Sequence, residues 1–372
     1  MNYPIEKIRA DFQFFIEKHN RLPVYLDNAA ACLQPQTVLE CYEKKPILGE
    51  EDFAAARFKI KTFINAANDR ELFFFNSATE AINAVAQAYA SSNIKAGDEI
   101  IITAMEHCAN IVPWQLLCNQ TGAILKVAPM TLSGELIFSE FEKLLCEKTK
   151  LVAVVHVSNV LGTINPVKAI IKAAHAKNIP VLLDGAQAIP HLKIDVQDIN
   201  CDFYVFLGHK LYGPTGVGVL YAKQPFLQGM SIRTQKIIDV DSPRIKDIVG
   251  LGFAIDYVNT IGIDKIVAYE TQLLSYATEV AMKIEGLRLI GQASEKAPIL
   301  SFVLDKIQPI DLAKRLDELG ITIRVGDHRA LPIMKFYDIL ATSRISFAIY
   351  NTKAEIDLLM QYIDMFNNKL KL

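Results

Sequence analysis

Lys210 closes the run Cys201-Asp-Phe-Tyr-Val-Phe-Leu-Gly-His-Lys210, and Asp184 closes Val181-Leu-Leu-Asp184, 26 positions earlier. Each polar residue follows a short, nearly unbroken apolar run of the kind that forms a buried parallel strand. In an open α/β sheet, ligands gather at the carboxyl ends of the strands, so one crevice would hold both side chains. A lysine and a carboxylate placed this way suit pyridoxal phosphate (PLP): the amine forms a Schiff base, and the carboxylate keeps the pyridine nitrogen protonated. The pair alone also fits a surface lysine and a strand-end Asp that caps the next helix, so its neighbours must decide.

Several other groups fall where such a crevice would form. Ser77-Ala78-Thr79-Glu80 opens a helix and offers N–H groups and hydroxyls to a phosphate, or forms a plain N-cap. His107, in Met105-Glu-His-Cys-Ala-Asn110, could stack on a planar ring or be a structural histidine. Asn159 and Gln187 carry amides at strand ends, where they can bond a ligand oxygen or cap a turn. Arg324 and Arg344 lie far along the chain, and either could hold a carboxylate through two parallel hydrogen bonds. Each signal is ambiguous singly, yet His107, Asn159, Asp184, Gln187 and Lys210 converge on one edge of one sheet.

The elements that must position these groups are visible as apolar runs at 72–75, 99–104, 124–128, 151–157, 181–184, 203–207 and 217–222. Helical patterns alternate with them, which predicts βαβ units and a mostly parallel, seven-stranded sheet in an α/β large domain. Ile82, Val85, Ala86 and Tyr89 mark one such helix, and Ile5, Ile8, Phe12 and Phe15 predict another over 5–19. Residues 229–247 are polar and aperiodic and are expected to form a loop. Beyond them, helices are expected at 262–285, 309–319 and 353–367, with strands at 298–304, 321–325 and 343–349. This predicts a large domain over 20–260 and a smaller α+β domain over 261–372, joined by the N-terminal helix 1–19.

Composition narrows the function. The 372 residues are 51% hydrophobic and 22% charged, with a formal net charge of −2, so no basic excess points to nucleic acid. No apolar stretch approaches the ~18 residues of a membrane span, and the N-terminus lacks the apolar core of a signal peptide. The six cysteines are widely spaced, with no zinc or disulfide pattern. A cytoplasmic location is expected, with no membrane partner.

Taken together, Leu26-Asp-Asn-Ala-Ala30, Met105-Glu-His, Asn110-Ile-Val-Pro-Trp-Gln115, His156-Val-Ser-Asn-Val-Leu-Gly-Thr163, Asp184-Gly-Ala-Gln187, Gly208-His-Lys-Leu-Tyr-Gly-Pro-Thr-Gly216 and Arg344 resemble the Suf-type (group II) cysteine desulfurases and selenocysteine lyases. These are fold-type I PLP enzymes, also called class V aminotransferases, and the resemblance covers almost the whole chain. It implies that Lys210 carries the cofactor, Asp184 pairs with its ring nitrogen and His107 stacks on the ring. It implies that Asn159 and Gln187 meet the phenolic oxygen, and that Thr79 and His209, with Ala78 beside them, hold the phosphate. Arg344 would bind the amino-acid carboxylate, with Asn159 and Ala29 on the substrate side. A homodimer and a sulfur-acceptor protein are further implications.

The chain also departs from that family. Where the family has Gly-His-His-Cys-Ala-x-Pro, with the cysteine attacking the substrate sulfur, this chain reads Gly326-Asp-His-Arg-Ala-Leu-Pro332. The Arg329 guanidinium is permanently protonated and cannot act as a thiolate. Cys108, beside His107, is a conceivable substitute thiol or simply a small packed side chain. Leu207 stands where the family has a phosphate-binding Ser. Segments around Lys44–Glu50 and between Gln228 and Ile248 are shorter than the family pattern. Three readings follow: a PLP enzyme acting on cysteine or a related small amino acid by C–S lyase or aminotransferase chemistry, a desulfurase using another thiol, and a catalytically silent paralogue with a binding role.

Overall fold

The computed structural model describes residues 3–16, 23–44, 48–226 and 245–369. All seven expected runs are strands of one sheet: β2 (Leu72–Phe75), β3 (Glu99–Thr103), β4 (Ile124–Ala128), β5 (Thr149–Val155), β6 (Val181–Asp184), β7 (Phe203–Leu207) and β8 (Gly218–Ala222). They lie in the order β2-β8-β7-β6-β5-β3-β4. The pairings from β7 through β4 are parallel, while β8 runs antiparallel to both β7 and β2. This is the mostly parallel α/β sheet that the resemblance implies.

The continuous apolar texture of these strands has a direct cause. Helices cover both faces, so successive side chains are buried alternately on opposite sides. Ile100, Ile102, Leu151, Ala153, Leu182, Phe203 and Val205 pack on one face with helix Ala78–Val85. Ile101, Val152, Val154, Leu183, Tyr204 and Phe206 pack on the other. Because β3, β5, β6 and β7 are parallel, their carboxyl ends open on one edge, and the residues after them share it.

A second sheet, β12-β13-β10-β9, is antiparallel. Here β10 (Ile299–Leu304) and β13 (Thr342–Ser346) answer the runs expected at 298–304 and 343–349. The run expected at 321–325 divides into β11 (Ile321–Thr322) and β12 (Arg324–Gly326). An additional strand, β9 (Leu287–Ile290), had no expectation. Strand β1 (Val24–Tyr25) pairs in parallel with β11, and Asp27 bridges to Ser346, so the early segment is stitched to the late one.

The helix expected over 5–19 is instead two short helices, Ile5–Ala10 and Gln13–Ile16, and residues 17–19 lie outside the described residues. The break falls at Asp11, whose carbonyl accepts the Gln36 N–H at 2.7 Å and whose carboxylate accepts the Tyr257 hydroxyl at 2.8 Å. Of the loop expected at 229–247, residues 229–244 lie outside the described residues, and 245–247 already belong to helix Ile245–Ile261. That helix has no clear amphipathic period because it is enclosed on most sides. It crosses helix Glu50–Phe63 closely, and a Cβ at Gly252 would sit 3.2 Å from Ala56 Cβ. The remaining expected helices appear as Ile263–Ala281, Pro309–Asp317 and Lys353–Lys369. No helix among the described residues is long and apolar enough to cross a membrane.

Candidate active site

At the carboxyl edge of the large sheet lies a cavity of about 510 Å³, within the range of small-molecule sites. Lys210 lies on its wall, in a turn directly after β7. Gly208 makes that turn: its carbonyl accepts the N–H groups of Leu211 and Gly213, both at 2.9 Å. Lys210 is 8% exposed, and its Nζ donates to the carbonyls of Ala29 and Ala30, each at 2.5 Å. Burial pulls its pKa down to about 8, and the nearby Arg344 charge acts in the same direction.

Asp184 ends β6 on the same wall. Its Oδ1 accepts the Ala186 N–H at 3.0 Å. Burial raises its pKa, while the Ala186 N–H and the Lys210 charge oppose that shift. A buried carboxylate in this position favours a cationic ligand group against Oδ2. Gln187 donates from Nε2 to the Ala29 carbonyl at 2.7 Å, and Asn159 donates from Nδ2 to the His328 carbonyl at 2.9 Å.

His107 follows β3 and faces the cavity. Its Nδ1 accepts the Ala109 N–H at 3.1 Å, so it also caps the short helical turn Cys108–Asn110. Burial, then the Lys210 charge, pulls its pKa down to about 4, leaving the ring neutral and able to stack. His209 is likewise lowered to about 4, first by burial and then by Lys210.

The phosphate-suited end is made by Ser77, Ala78 and Thr79, which line the cavity at the start of helix Ala78–Val85. The Ser77 hydroxyl accepts the Glu80 N–H at 3.2 Å, so Ser77 caps this helix. A Cβ at Gly218 would stand 2.5 Å from the Ser77 carbonyl oxygen, so only glycine lets β8 approach this turn. Leu207 lines the same end of the cavity.

The opposite wall comes from the small sheet. Arg344 on β13 is 3% exposed; it donates from Nη1 to the Asn159 carbonyl and from Nη2 to Asp27 Oδ1, both at 3.0 Å. Arg324 is farther out, 3.7 Å from Asp27 Oδ2. The turn Asp327–Ala330 closes over the site. The ten residues to which the resemblance gave a role, Ala29, Ala78, Thr79, His107, Asn159, Asp184, Gln187, His209, Lys210 and Arg344, line this one cavity, as do Ser77 and Arg324.

Three positioning residues escaped the sequence reading. Asp27 orients Arg344, although it stood inside the Leu26–Ala30 motif. The Ser346 hydroxyl accepts the Ala29 N–H at 2.8 Å and fixes the carbonyls that receive Lys210. Glu106, fully buried, accepts Thr103 Oγ1 at 2.6 Å, Asn110 Nδ2 at 2.7 Å and the Val155 N–H at 2.9 Å. It thereby ties the His107 segment to the end of β5. Its pKa rises to about 7, mainly through burial. Its signal was the charged residue inside Met105-Glu-His107, directly after an apolar run.

The residues present fit PLP. Asn159 Oδ1, Gln187 Oε1 and His209 Nδ1 are buried without a hydrogen-bond partner. Buried polar atoms are normally paired, so three unpaired ones around a lysine and a carboxylate fit a polar planar ligand. Lys210 could bind it covalently, Asp184 could face its ring nitrogen, and the Ser77–Thr79 turn with His209 could hold its phosphate.

Comparison with known proteins agrees. The family profile described as Aminotransferase class-V matches residues 48–359. A "Cysteine desulfurase" of Enterobacter sp. (strain 638) is 40% identical over 399 residues, covering 97% of both chains. A "Cysteine desulfurase" of Synechococcus elongatus is 41% identical over 394 residues, covering 96% of this chain, which spans only 63% of that relative's length. The crystal structure of the cysteine desulfurase CsdA (S-sulfonic acid) from Escherichia coli superposes with a TM-score of 0.89 at 30% identity, covering 98% of each chain. This chain belongs to the class-V aminotransferases, a family of PLP-dependent enzymes.

Proposed function

We propose that the protein is a divergent Suf-type (group II) desulfurase relative that lacks the persulfide cysteine. In this reading it acts on cysteine or a related small amino acid by C–S lyase or aminotransferase-type chemistry. The observation that carries the reading is Arg329, which lines the cavity at the position where the resembling family has its nucleophile. Among the described residues, no cysteine lines that cavity. Cys32 comes near, but it is buried, its Sγ donates to the Lys210 carbonyl at 3.0 Å, and burial pushes its thiol up to about 12. Cys108 stands 4.0 Å from His107 Nδ1, off the cavity wall. These placements weigh against a desulfurase using another thiol.

PLP supplies the electron sink that makes the substrate's Cα–H bond acidic. The chain's own residues supply the rest. Arg344 holds the α-carboxylate and so fixes how Cα faces Lys210. The Lys210 amine, with its pKa near 8, is suited to take and return a proton at Cα close to neutral pH. Asp184 would keep a proton on the ring nitrogen, and neutral His107 would stack on the ring. Asn159 and Gln187 offer their unpaired oxygens and amides to the ring substituents. We retain as proposals a division near residue 261 into large and small domains, a homodimer, a sulfur-acceptor partner and a cytoplasmic location.

The test starts with colour. Purified protein should be yellow, with a visible band bleached by borohydride. Cysteine should then yield pyruvate, ammonia and sulfide if a C–S bond is broken by elimination. Alanine formed together with sulfide, in the presence of a thiol reductant, would instead indicate desulfuration. A colourless protein that added PLP cannot restore would end the enzymatic reading and favour the silent, partner-binding one.

A further inference from the structure

The turn bearing Arg329 is built to aim it. His328 and Arg329 both take left-handed backbone conformations, with φ of 50° and 56°. Two consecutive non-glycine residues in that region are strained and persist only where their surroundings impose it. Four contacts impose it here. The Arg329 carbonyl accepts the Cys108 N–H at 2.8 Å, and its N–H donates to Asp327 Oδ1 at 2.9 Å. The His328 carbonyl accepts Asn159 Nδ2 at 2.9 Å, and His328 Nε2 bonds Thr342 Oγ1 at 2.8 Å. The turn thereby places the exposed Arg329 on the cavity wall, close enough to His107 for its charge to be felt there.

The charges around the cavity are unbalanced. Arg344 takes Asp27 Oδ1, and Arg324 reaches only the other oxygen of the same carboxylate, at 3.7 Å. The Arg329 guanidinium forms no ion pair among the described residues. Asp327, the acid nearest in sequence, uses Oδ1 on the Arg329 backbone. Arg344 Nε is buried without a partner, which leaves room for one carboxylate from a ligand. Arg329 then remains as a second, separate cation on the same cavity.

We propose that Arg329 selects an amino acid carrying a second negative charge, with a short side chain ending in a carboxylate. This rests on the PLP reading above and names the substrate class within it. Arg344 takes the α-carboxylate through its unpaired Nε–H, and Arg329 the side-chain carboxylate through the fork geometry that a guanidinium offers to planar anions. An uncharged isostere would leave Arg329 unpaired and lose that contact.

The experiment uses PLP-loaded protein and reads binding from the change in its visible spectrum. L-aspartate is compared with L-asparagine, and L-glutamate with L-glutamine. The acid of at least one pair should bind about tenfold tighter or more than its amide. Arg329→Gln should bring that ratio to about one, and Arg329→Lys should keep part of it. Equal binding of acid and amide in both pairs overturns the inference, as does a preference that survives Arg329→Gln. A preference that disappears only in Arg324→Gln overturns the assignment to Arg329. A protein that never takes up PLP fails before any amino acid is added, and that failure belongs to the functional reading itself.

Discussion

The two walls of the cavity are held in different ways. The wall at the ends of β6 and β7 is fixed by side chains packed into the sheet: a Cβ at Gly185 would stand 2.2 Å from the Tyr204 ring, and Lys210 is enclosed against the Ala29 and Ala30 carbonyls. The turn at Asp327–Ala330 is fixed largely by backbone atoms of residues 328 and 329. On the first wall an added side chain at Gly185 would collide with Tyr204, so the backbone there is tightly specified. The side chain at 329 can change chemistry while the turn keeps its shape. That asymmetry explains how a chain can retain Lys210, Asp184 and Gln187 yet carry arginine where its resemblance leads one to expect a nucleophile.

The sharpest test of the first wall is Lys210→Ala. It should remove the borohydride-sensitive colour and lower turnover of any amino acid by about a thousandfold or more, the order expected when a positioned proton-transfer group is lost. PLP held non-covalently would still be detectable in the variant by its absorbance. Retained turnover would mean that the sheet-edge wall does not carry the chemistry, and the comparison of the two walls would collapse.

Next in size is Arg344→Gln, which probes the joint between the walls. Removing the guanidinium strands Asp27, 7% exposed, without its partner. Breaking one side of a buried pair costs about 3–5 kcal/mol. Urea unfolding of the cofactor-free protein should show that loss, and Asp27→Asn combined with Arg344→Gln should recover much of it. No loss of stability in the single variant would show that the pair is dispensable to the fold.

How much of this was legible in the sequence follows the same division. The buried strands read as nearly unbroken apolar runs, the exposed edge strand β4 as a run broken only by Lys126, and parallel pairing then placed Asp184 and Lys210 on one edge. The candidate residues converged because strand ends are sequence-local features. Helix Ile245–Ile261 was missed because burial on most sides erased its period, and β9 was missed because Leu287–Ile290 is short and interrupted by Arg288. The roles of Asp27 and Ser346 were illegible for another reason. Each depends on a partner more than 300 positions away, Arg344 for one and Ala29 for the other. Nothing in local spacing encodes a contact of that range.

Leu207→Ser tests whether the sheet-edge wall lacks a phosphate ligand at that end. Leu207 lines the cavity beside Ser77 and Thr79. A hydroxyl there could donate to a phosphate, and a hydrogen bond to a charged group contributes about 1.5–3 kcal/mol. The dissociation constant for PLP should fall by about tenfold or more, measured with the Lys210→Ala background so that covalent capture does not mask it. Unchanged affinity would mean that the helix N-terminus already satisfies the phosphate on that side.

The smallest expected effect is a pH dependence. Burial, aided by Arg344, holds the Lys210 amine near 8 in the folded chain, whereas an unfolded lysine keeps its proton to about 10.4. Between those values the unfolded chain binds the extra proton, so this residue's contribution makes the cofactor-free protein more stable as pH rises through that window. Below pH 8 the lysine is protonated in both states and the cost of burying its charge is present in full. Covalent capture of PLP needs the neutral amine, whose fraction rises about fivefold between pH 7 and 8 for a pKa near 8. The rate at which cofactor-free protein regains its colour should follow that rise and level off above it. In Arg344→Gln one of the charges that depress the amine is gone, so the midpoint should move to higher pH. A rate that stays flat across this range, or a midpoint that does not move, would mean that Lys210 is not held in the deprotonation-prone setting that its burial implies.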